Sequence, residues 1–398
     1  MDVELGAQFR PLLLVPRPSP RHALAQRVKT LARRHGLTVS AITSAAAFPE
    51  VLTILRDRIA AGHLAGMDWF TAERAAASCE PRTLMAEPRA ILSVGVAYWG
   101  QDAGKPDDGV PRGRISRYAR GLDYHEVLPR RMRALHASIE ALVGHAVECR
   151  FLTDHARIVD RAVAARAGLG WYGKNACVIV PGHGSWVMLG EMLLDLDLEP
   201  DRPLDRDCGR CAICIDRCPT GAIVAPYTIH APACISFQTI EQRGAIPREL
   251  RGRMGDWVFG CDVCQEVCPY TGAAADDPDP EFLPASVEHA YPSLPGLLDM
   301  STRTFRGRYR GTAVMRARRV GLARNAAVAL GNIGTEDDAP VLARAALGHD
   351  EALVRGHAAW ALGRIGGPAA RRALHRAWER EQETETKKEI GAALLGES

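Results

Sequence analysis

No apolar run in this chain approaches the ~18–20 residues that a membrane-spanning helix requires. The longest, Ala90–Trp99 (AILSVGVAYW), reads as a buried strand. Neither sign of charge prevails, with 50 Lys and Arg against 47 Asp and Glu and a net charge of +3. Any charged partner must therefore be inferred from where the charges sit. Residues 1–20 have an acidic start, a short apolar patch and no small-residue cleavage site, which predicts a disordered leader rather than a secretion signal. Arg33-Arg34 is followed by His-Gly, not by an apolar stretch, so a twin-arginine export signal is not expected either. These absences predict a cytoplasmic protein with no membrane partner.

The 398 residues suffice for two or three domains, each with its own core. The stretch Gly168–Asn175 (GLGWYGKN) superficially fits two nucleotide motifs. A dinucleotide fingerprint follows a strand, but here a helical pattern near 157–167 precedes it. A triphosphate loop needs Ser or Thr after its Lys, and this chain has Asn175. The glycines are instead expected to end a helix and to let backbone approach a large flat cofactor or a docked nucleoside, with Lys174 and Asn175 meeting polar edges of the ligand.

From about 21 to 200, helical patterns (21–35, 48–62, 123–143, 157–167) alternate with strand patterns (37–43, 90–98, 148–153, 177–181, 186–195), which argues an α/β domain. Residues 201–290 turn to cysteine, proline and short loops. From 300 to 398 the chain is helical and repeats itself, Ala327–Gly334 (AVALGNIG) returning as Ala359–Gly366 (AWALGRIG). That 32-residue period predicts a short solenoid resembling HEAT repeats.

Eight of the eleven cysteines fall between 208 and 268. Cys208, Cys211, Cys214 and Cys218 are spaced C-x2-C-x2-C-x3-C and followed by Pro219; Cys261, Cys264 and Cys268 are spaced C-x2-C-x3-C and followed by Pro269, with Cys234 upstream. In bacterial two-cluster ferredoxins the fourth cysteine of such a run crosses to the other cluster. The spacing therefore predicts one 4Fe–4S cluster on Cys208, Cys211, Cys214 and Cys268, and another on Cys218, Cys234, Cys261 and Cys264. Zinc knuckles also use C-x2-C pairs, but they explain neither the third closely spaced cysteine nor the Cys-Pro endings. Cys79, Cys149 and Cys177 read as buried small apolar residues. The clusters are expected to feed a redox site in the first domain.

Arg114–His125 (RISRYARGLDYH), Thr153–Glu191, both cysteine sets and Cys234–Pro247 (CISFQTIEQRGAIP) together resemble the epoxyqueuosine reductase family over about residues 20–335. The resemblance implies an α/β cobalamin-binding domain, a ferredoxin-like two-cluster domain and C-terminal helical repeats that bind tRNA. It implies that epoxyqueuosine in the tRNA anticodon is reduced to queuosine with cobalamin and two 4Fe–4S clusters, which are supplied by an external low-potential electron donor. A monomer is expected.

By the same likeness Arg117, Asp154, Val178, Leu189, Ser236 and Asp262 lie against cobalamin, and Asp154 is the catalytic proton donor. Asp154 is accordingly expected in an apolar or anionic pocket that raises its pKa; a helix N-cap is the structural alternative. The family pattern D-[ST]-x-P-x-x-E-R is altered here at His155, Arg157 and Asp160. His125 lacks the following glycine of the histidine-on cobalamin motif and is read as structural.

Eight arginines and no acids lie between Arg303 and Arg324, interleaved with Phe305 and Tyr309. Arg316, Arg318, Arg319 and Arg324, with Arg243, are the expected tRNA contacts, with the two aromatics available to stack on bases. Two rival readings remain at this stage: a corrinoid iron–sulfur reductase of a small molecule, and a non-catalytic ferredoxin-type electron-transfer module.

Overall fold

The computed structural model describes residues 19–102, 104–154 and 156–397. Most of the expected leader and His155 lie outside the described residues. A four-stranded sheet organises the first half of the chain: β1 (Val39–Ser44), β2 (Ala90–Ala97), β3 (Cys149–Leu152) and β4 (Val187–Leu194) stand in the order β1-β2-β4-β3. Every pairing in it is antiparallel. β2 is buried along its whole length, which explains its unbroken apolar text: central strands covered on both faces have no solvent side to fill with polar residues.

One face of the sheet carries α1 (Pro20–Arg34) and α3 (Tyr124–Val143), whose Val28, Ala32, Leu128, Met132 and Leu135 pack on Leu92, Val94 and Met192. The opposite face carries α2 (Pro49–Ala60) and α4 (Asp160–Arg166), with Ala162 and Val163 against Ile91 and Leu193. Asp123 caps α3, accepting from the His125 backbone N–H at 3.0 Å. α4 begins at Asp160 behind Val159 and has no side-chain cap, so Asp154 is not its N-cap.

The cysteine segment is built from one-turn helices (Ile213–Asp216, Val263–Glu266), a small hairpin and the helix Ile235–Ile240. Its strand Trp257–Phe259 pairs in parallel with Arg114–Ile115 of the first half.

The solenoid stacks α5 (Arg318–Ile333), α6 (Ala339–Gly348), α7 (Ala352–Ile365), α8 (Gly367–Arg380) and α9 (Thr384–Leu394). The repeat has a packing reason. A Cβ on Gly331 would meet the Trp360 ring at 2.6 Å, and one on Gly363 would meet Ala393 Cβ at 3.0 Å. Glycine recurs where one inner helix touches the next, since only a bare Cα permits that approach.

The solenoid shares its core with the cysteine segment, Trp257, Val258 and Phe259 lying among its buried residues. Asn325 is fully buried and donates to Thr239 O at 2.9 Å and Val258 O at 2.8 Å. His357 accepts the Ile246 N–H at 3.2 Å on Nε2, pairs with Leu353 O at 2.7 Å through Nδ1, and is held neutral by burial.

Candidate functional site

The cysteines of the two expected quartets lie within electrostatic reach of one another. Cys208, Cys211 and Cys268 are the sulfurs that act electrostatically on Cys214, whereas Cys234 and Cys218 act on Cys261, and Cys177, Cys261 and Cys234 act on Cys264. Cys268 is thus an electrostatic neighbour of the first run, and Cys218 of Cys261. Burial raises the Cys214, Cys234, Cys261, Cys264 and Cys268 thiols, so free thiolates here would be costly without a cation to hold. Among the described residues no three His, Cys, Asp or Glu side chains close on one ion-sized point. Cys177 lies beside Cys234, Cys264 and Cys268, its thiol pushed up to about 11 by burial.

The glycine-rich turn serves these loops and not a nucleotide. Gly168 ends the α4 segment at φ +76°, and a Cβ there would strike Arg202 O at 2.1 Å. A Cβ on Gly170 would come 2.5 Å from Ile179 O. At Gly168 and Gly170 the close approach is therefore to the protein's own backbone. Lys174 and Asn175 are likewise reassigned: Lys174 Nζ donates to Gly209 O at 2.7 Å, and Asn175 Nδ2 to Cys264 O at 3.3 Å. The turn ties one cysteine loop to the other.

Asp154 follows β3, and α3 brings its first turn alongside. His125 pairs through Nδ1 with Asp123 Oδ1 at 2.8 Å and through Nε2 with Asp154 Oδ2 at 3.4 Å. Tyr124 stands near enough for its hydroxyl to act on the same Asp154 carboxylate. The His125 pair first, and Tyr124 second, hold the Asp154 carboxyl below its ordinary range despite opposing desolvation. The expected raised pKa is thus overturned: the neighbour is a cation, not an apolar wall or an anion. Although burial opposes it, His125 is pushed up to about 9 by its bonds to both carboxylates. At neutral pH the three side chains form a carboxylate–imidazolium–carboxylate row. Asp154 is its open end, with 60 % of its side chain exposed.

Glu191, two residues beyond Leu189 on β4, is the acid that the sequence analysis passed over. It is fully buried opposite Ser93, neither carboxyl oxygen is paired, and burial with Asp160 and Asp154 nearby drives its pKa well up. No sequence signal marked it, because a glutamate amid apolar residues usually reads as the strand's wet face.

The residues expected around a corrinoid fall into two kinds. Val178 and Leu189 belong to one apolar patch on the α4 side of the sheet. Arg117 Nη1 donates to Gly100 O at 2.8 Å, yet its buried Nε has no partner. An apolar shelf with an orphaned polar donor suits a large amphipathic ring with amide edges. Asp262 differs: fully buried, its carboxylate accepts from Ser116 Oγ at 2.5 Å and the Arg117 backbone N–H at 2.8 Å. It shapes the turn that carries Arg117. Ser236 adjoins Cys234 at the start of the helix Ile235–Ile240.

The arginine set divides more sharply. Arg324 is fully buried, donating to Gln238 O at 2.6 Å, Gln242 O at 2.8 Å and Gly244 O at 2.7 Å. It cannot reach RNA, which corrects that expectation; its donors fasten the solenoid to the loop after Cys234. Phe305 and Tyr309 are buried too, so neither can stack on a base. Arg319 is mostly covered and pairs with Asp350 at 2.7 Å. What stays open is Arg243, Arg316 and Arg318. Both other guanidiniums act on Arg243, and Arg316 senses Asp154. Arg318 holds φ +61°, ψ 164°, a conformation that costs a side-chain-bearing residue ~1–3 kcal/mol and tends to mark functional turns.

Three family models match the chain: 4Fe-4S double cluster binding domain at residues 207–271, Epoxyqueuosine reductase QueG, DUF1730 at 79–155, and HEAT repeats at 313–395. The chain is 38 % identical over 356 residues to the epoxyqueuosine reductase of Xanthomonas campestris pv. campestris, spanning 89 % of this chain and 99 % of that one. The chain belongs to the epoxyqueuosine reductase family. The enzyme of Escherichia coli K12 is 37 % identical over 74 % of this chain and 78 % of its own. Among solved structures, epoxyqueuosine reductase with an epoxyqueuosine-modified tRNA-Tyr stem loop superposes with a TM-score of 0.88 at 32 % identity, covering 94 % of this chain and 98 % of that one. The Bacillus subtilis enzyme, caught with its catalytic loop swung out of the active site, gives 0.87 at 32 % identity over 94 % and 99 % of the two chains. The family and the double-cluster segment establish an oxidoreductase that carries 4Fe–4S clusters. No described helix is long and apolar enough to cross a membrane.

Proposed function

We propose that this protein reduces epoxyqueuosine to queuosine in the wobble position of tRNA anticodons. The observation that supports the reading is the family likeness over most of the chain, together with Arg316 close enough to Asp154 to act on it and Arg243 close to Arg316 and Arg318. Removing an epoxide oxygen consumes two electrons and two protons, and no side chain here can supply the electrons. Val178, Leu189, Arg117 and Ser236 would hold a cobalamin, which would supply those electrons as a strongly reducing centre fed by two 4Fe–4S clusters. Cys208, Cys211, Cys214 and Cys268 hold one cluster; Cys218, Cys234, Cys261 and Cys264 hold the other, and an external low-potential donor refills both.

The chain's own residues do the rest. Arg117 and Ser236 orient the corrinoid's polar edge, and Val178 and Leu189 cover its apolar face. Arg243, Arg316 and Arg318 take the phosphates of the anticodon loop, where a flexible single strand can present its base outward. Asp154 stands where the departing oxygen needs a proton, a task for a positioned general acid. The test is nucleoside mass spectrometry of tRNA from cells lacking the protein. Accumulated epoxyqueuosine, cured by re-expression, supports the assignment; normal queuosine refutes it.

A further inference from the structure

The resting geometry poses a difficulty for that chemistry. A proton donor should be protonated, yet Asp154 is held as a carboxylate by its neighbour. The proton lies instead on His125, whose Nε2 faces Asp154 Oδ2 at 3.4 Å and whose Nδ1 is fixed by Asp123 at 2.8 Å. The imidazole is clamped further by the Tyr124 ring, 4.0 Å away between centroids. We propose that His125 is the proton store behind Asp154, its Nε2–H refilling the Asp154 carboxyl, which passes the proton to the departing oxygen. This rests on the reading of the site as one that deoxygenates an epoxide.

The transfer balances as two linked steps. The His125 Nε2–H bond breaks as an O–H bond forms on the Asp154 carboxylate. That O–H bond then breaks as an O–H bond forms on the alkoxide of the opened epoxide, leaving Asp154 a carboxylate again, and neutral His125, 30 % exposed, takes its next proton from solvent at its exposed edge. Two passes deliver the two protons that leave with the oxygen as water, while the two electrons would come from the bound, reduced corrinoid.

Binding supplies the trigger. Asp154 is open to solvent in the described state, and water favours the separated charges. A cofactor ring and a nucleoside covering Asp154 would remove the water, and in a poorer dielectric the pair gains by collapsing to neutral imidazole and neutral carboxyl. Among the described residues, the other charged or titratable groups around the row are Tyr118, Asp160 and Arg161, Glu191 beneath, and Arg316 from the solenoid side. Only His125 joins two carboxylates end to end. His125 therefore acts through Asp154 as a positioning and proton-storing residue.

The test is single-turnover deoxygenation by reduced holoenzyme of an anticodon stem loop containing epoxyqueuosine, from pH 6 to 10. Wild type, His125→Gln and Asp123→Asn are compared, with corrinoid uptake followed by visible absorption. The wild-type rate constant should fall about tenfold per pH unit above about 9. His125→Gln should be slower by about 10²-fold and lack that limb, with corrinoid and stem-loop affinity unchanged. Asp123→Asn should move the limb to lower pH. Independently of turnover, 15N-histidine NMR of the wild type should show His125 still charged at pH 8, and Asp154→Asn should lower its titration point. A His125→Gln enzyme that keeps both rate and limb, or a His125 titrating near its ordinary ~6.5, overturns the relay alone. A wild-type holoenzyme that leaves epoxyqueuosine unconverted overturns the reaction and the relay with it.

Discussion

Arg316 grips both oxygens of Glu241, Nε at 2.9 Å from Oε1 and Nη2 at 2.7 Å from Oε2. This fork joins the approach to the solenoid to the end of the Cys234 helix. It is exposed on the arginine side, so it contributes ~0–1 kcal/mol to stability, and a phosphate can compete for the same guanidinium. Arg316→Ala should weaken anticodon stem-loop binding about 5–10-fold and flatten the dependence of log K on log salt by about 1, with little change in Tm. Arg324→Ala should do the reverse. Removing its buried donors leaves three carbonyls short of partners at ~1–3 kcal/mol each, so Tm should fall clearly. Fluorescence anisotropy across salt concentrations and thermal melts separate the two.

Crossed ligation gives a second expectation. Cys268→Ala should spoil the cluster whose other cysteines lie more than 50 residues upstream, and Cys218→Ala the cluster completed downstream. Each variant should drop from about eight irons per chain to about four. Cys177→Ser should keep about eight, since Cys177 stands outside both quartets. Iron analysis with EPR of the reduced protein decides this.

Asp154→Asn should take up iron and corrinoid as the wild type does and lose at least about 10²-fold in turnover, the usual size of a general acid's contribution. Unimpaired turnover would remove Asp154 from the reaction.

The charged row also predicts how stability varies with pH. The folded pKa of His125 is raised to about 9, so its contribution is complete below the unfolded value of ~6.5 and is lost as pH rises through about 9. Asp123 and Asp154 are shifted down; their share is present above ~4 and lost as pH falls through their folded pKa values. The Tm advantage of wild type over His125→Gln should therefore be largest near pH 5–6.5 and vanish by about pH 10. An advantage that persists at pH 10 would show that His125 stabilises by packing rather than by charge.

Much of the molecule was legible before folding. Cysteine spacing announces its own chemistry, because thiolates two or three residues apart can close on only a few inorganic shapes. A buried strand such as Ala90–Ala97 and a glycine-punctuated helical repeat declare themselves through periodicity, a local property of the chain. The Asp154 pKa was misread for the opposite reason. Its direction depends on His125, 29 residues away, which only the packing of α3 against the end of β3 makes a neighbour.

The arginine run shows the same limit. Residues 303–324 look uniformly cationic, yet Arg324 is buried beneath backbone carbonyls while Arg316 reaches solvent. What the sequence alone determined was the inventory: two clusters' worth of sulfur, an α/β scaffold, a repeating helical end and the family. The tertiary structure decided which charges face water, which face each other and which hold the fold together. Electrostatic energies depend on distance and dielectric, and neither is a property of residues in a line.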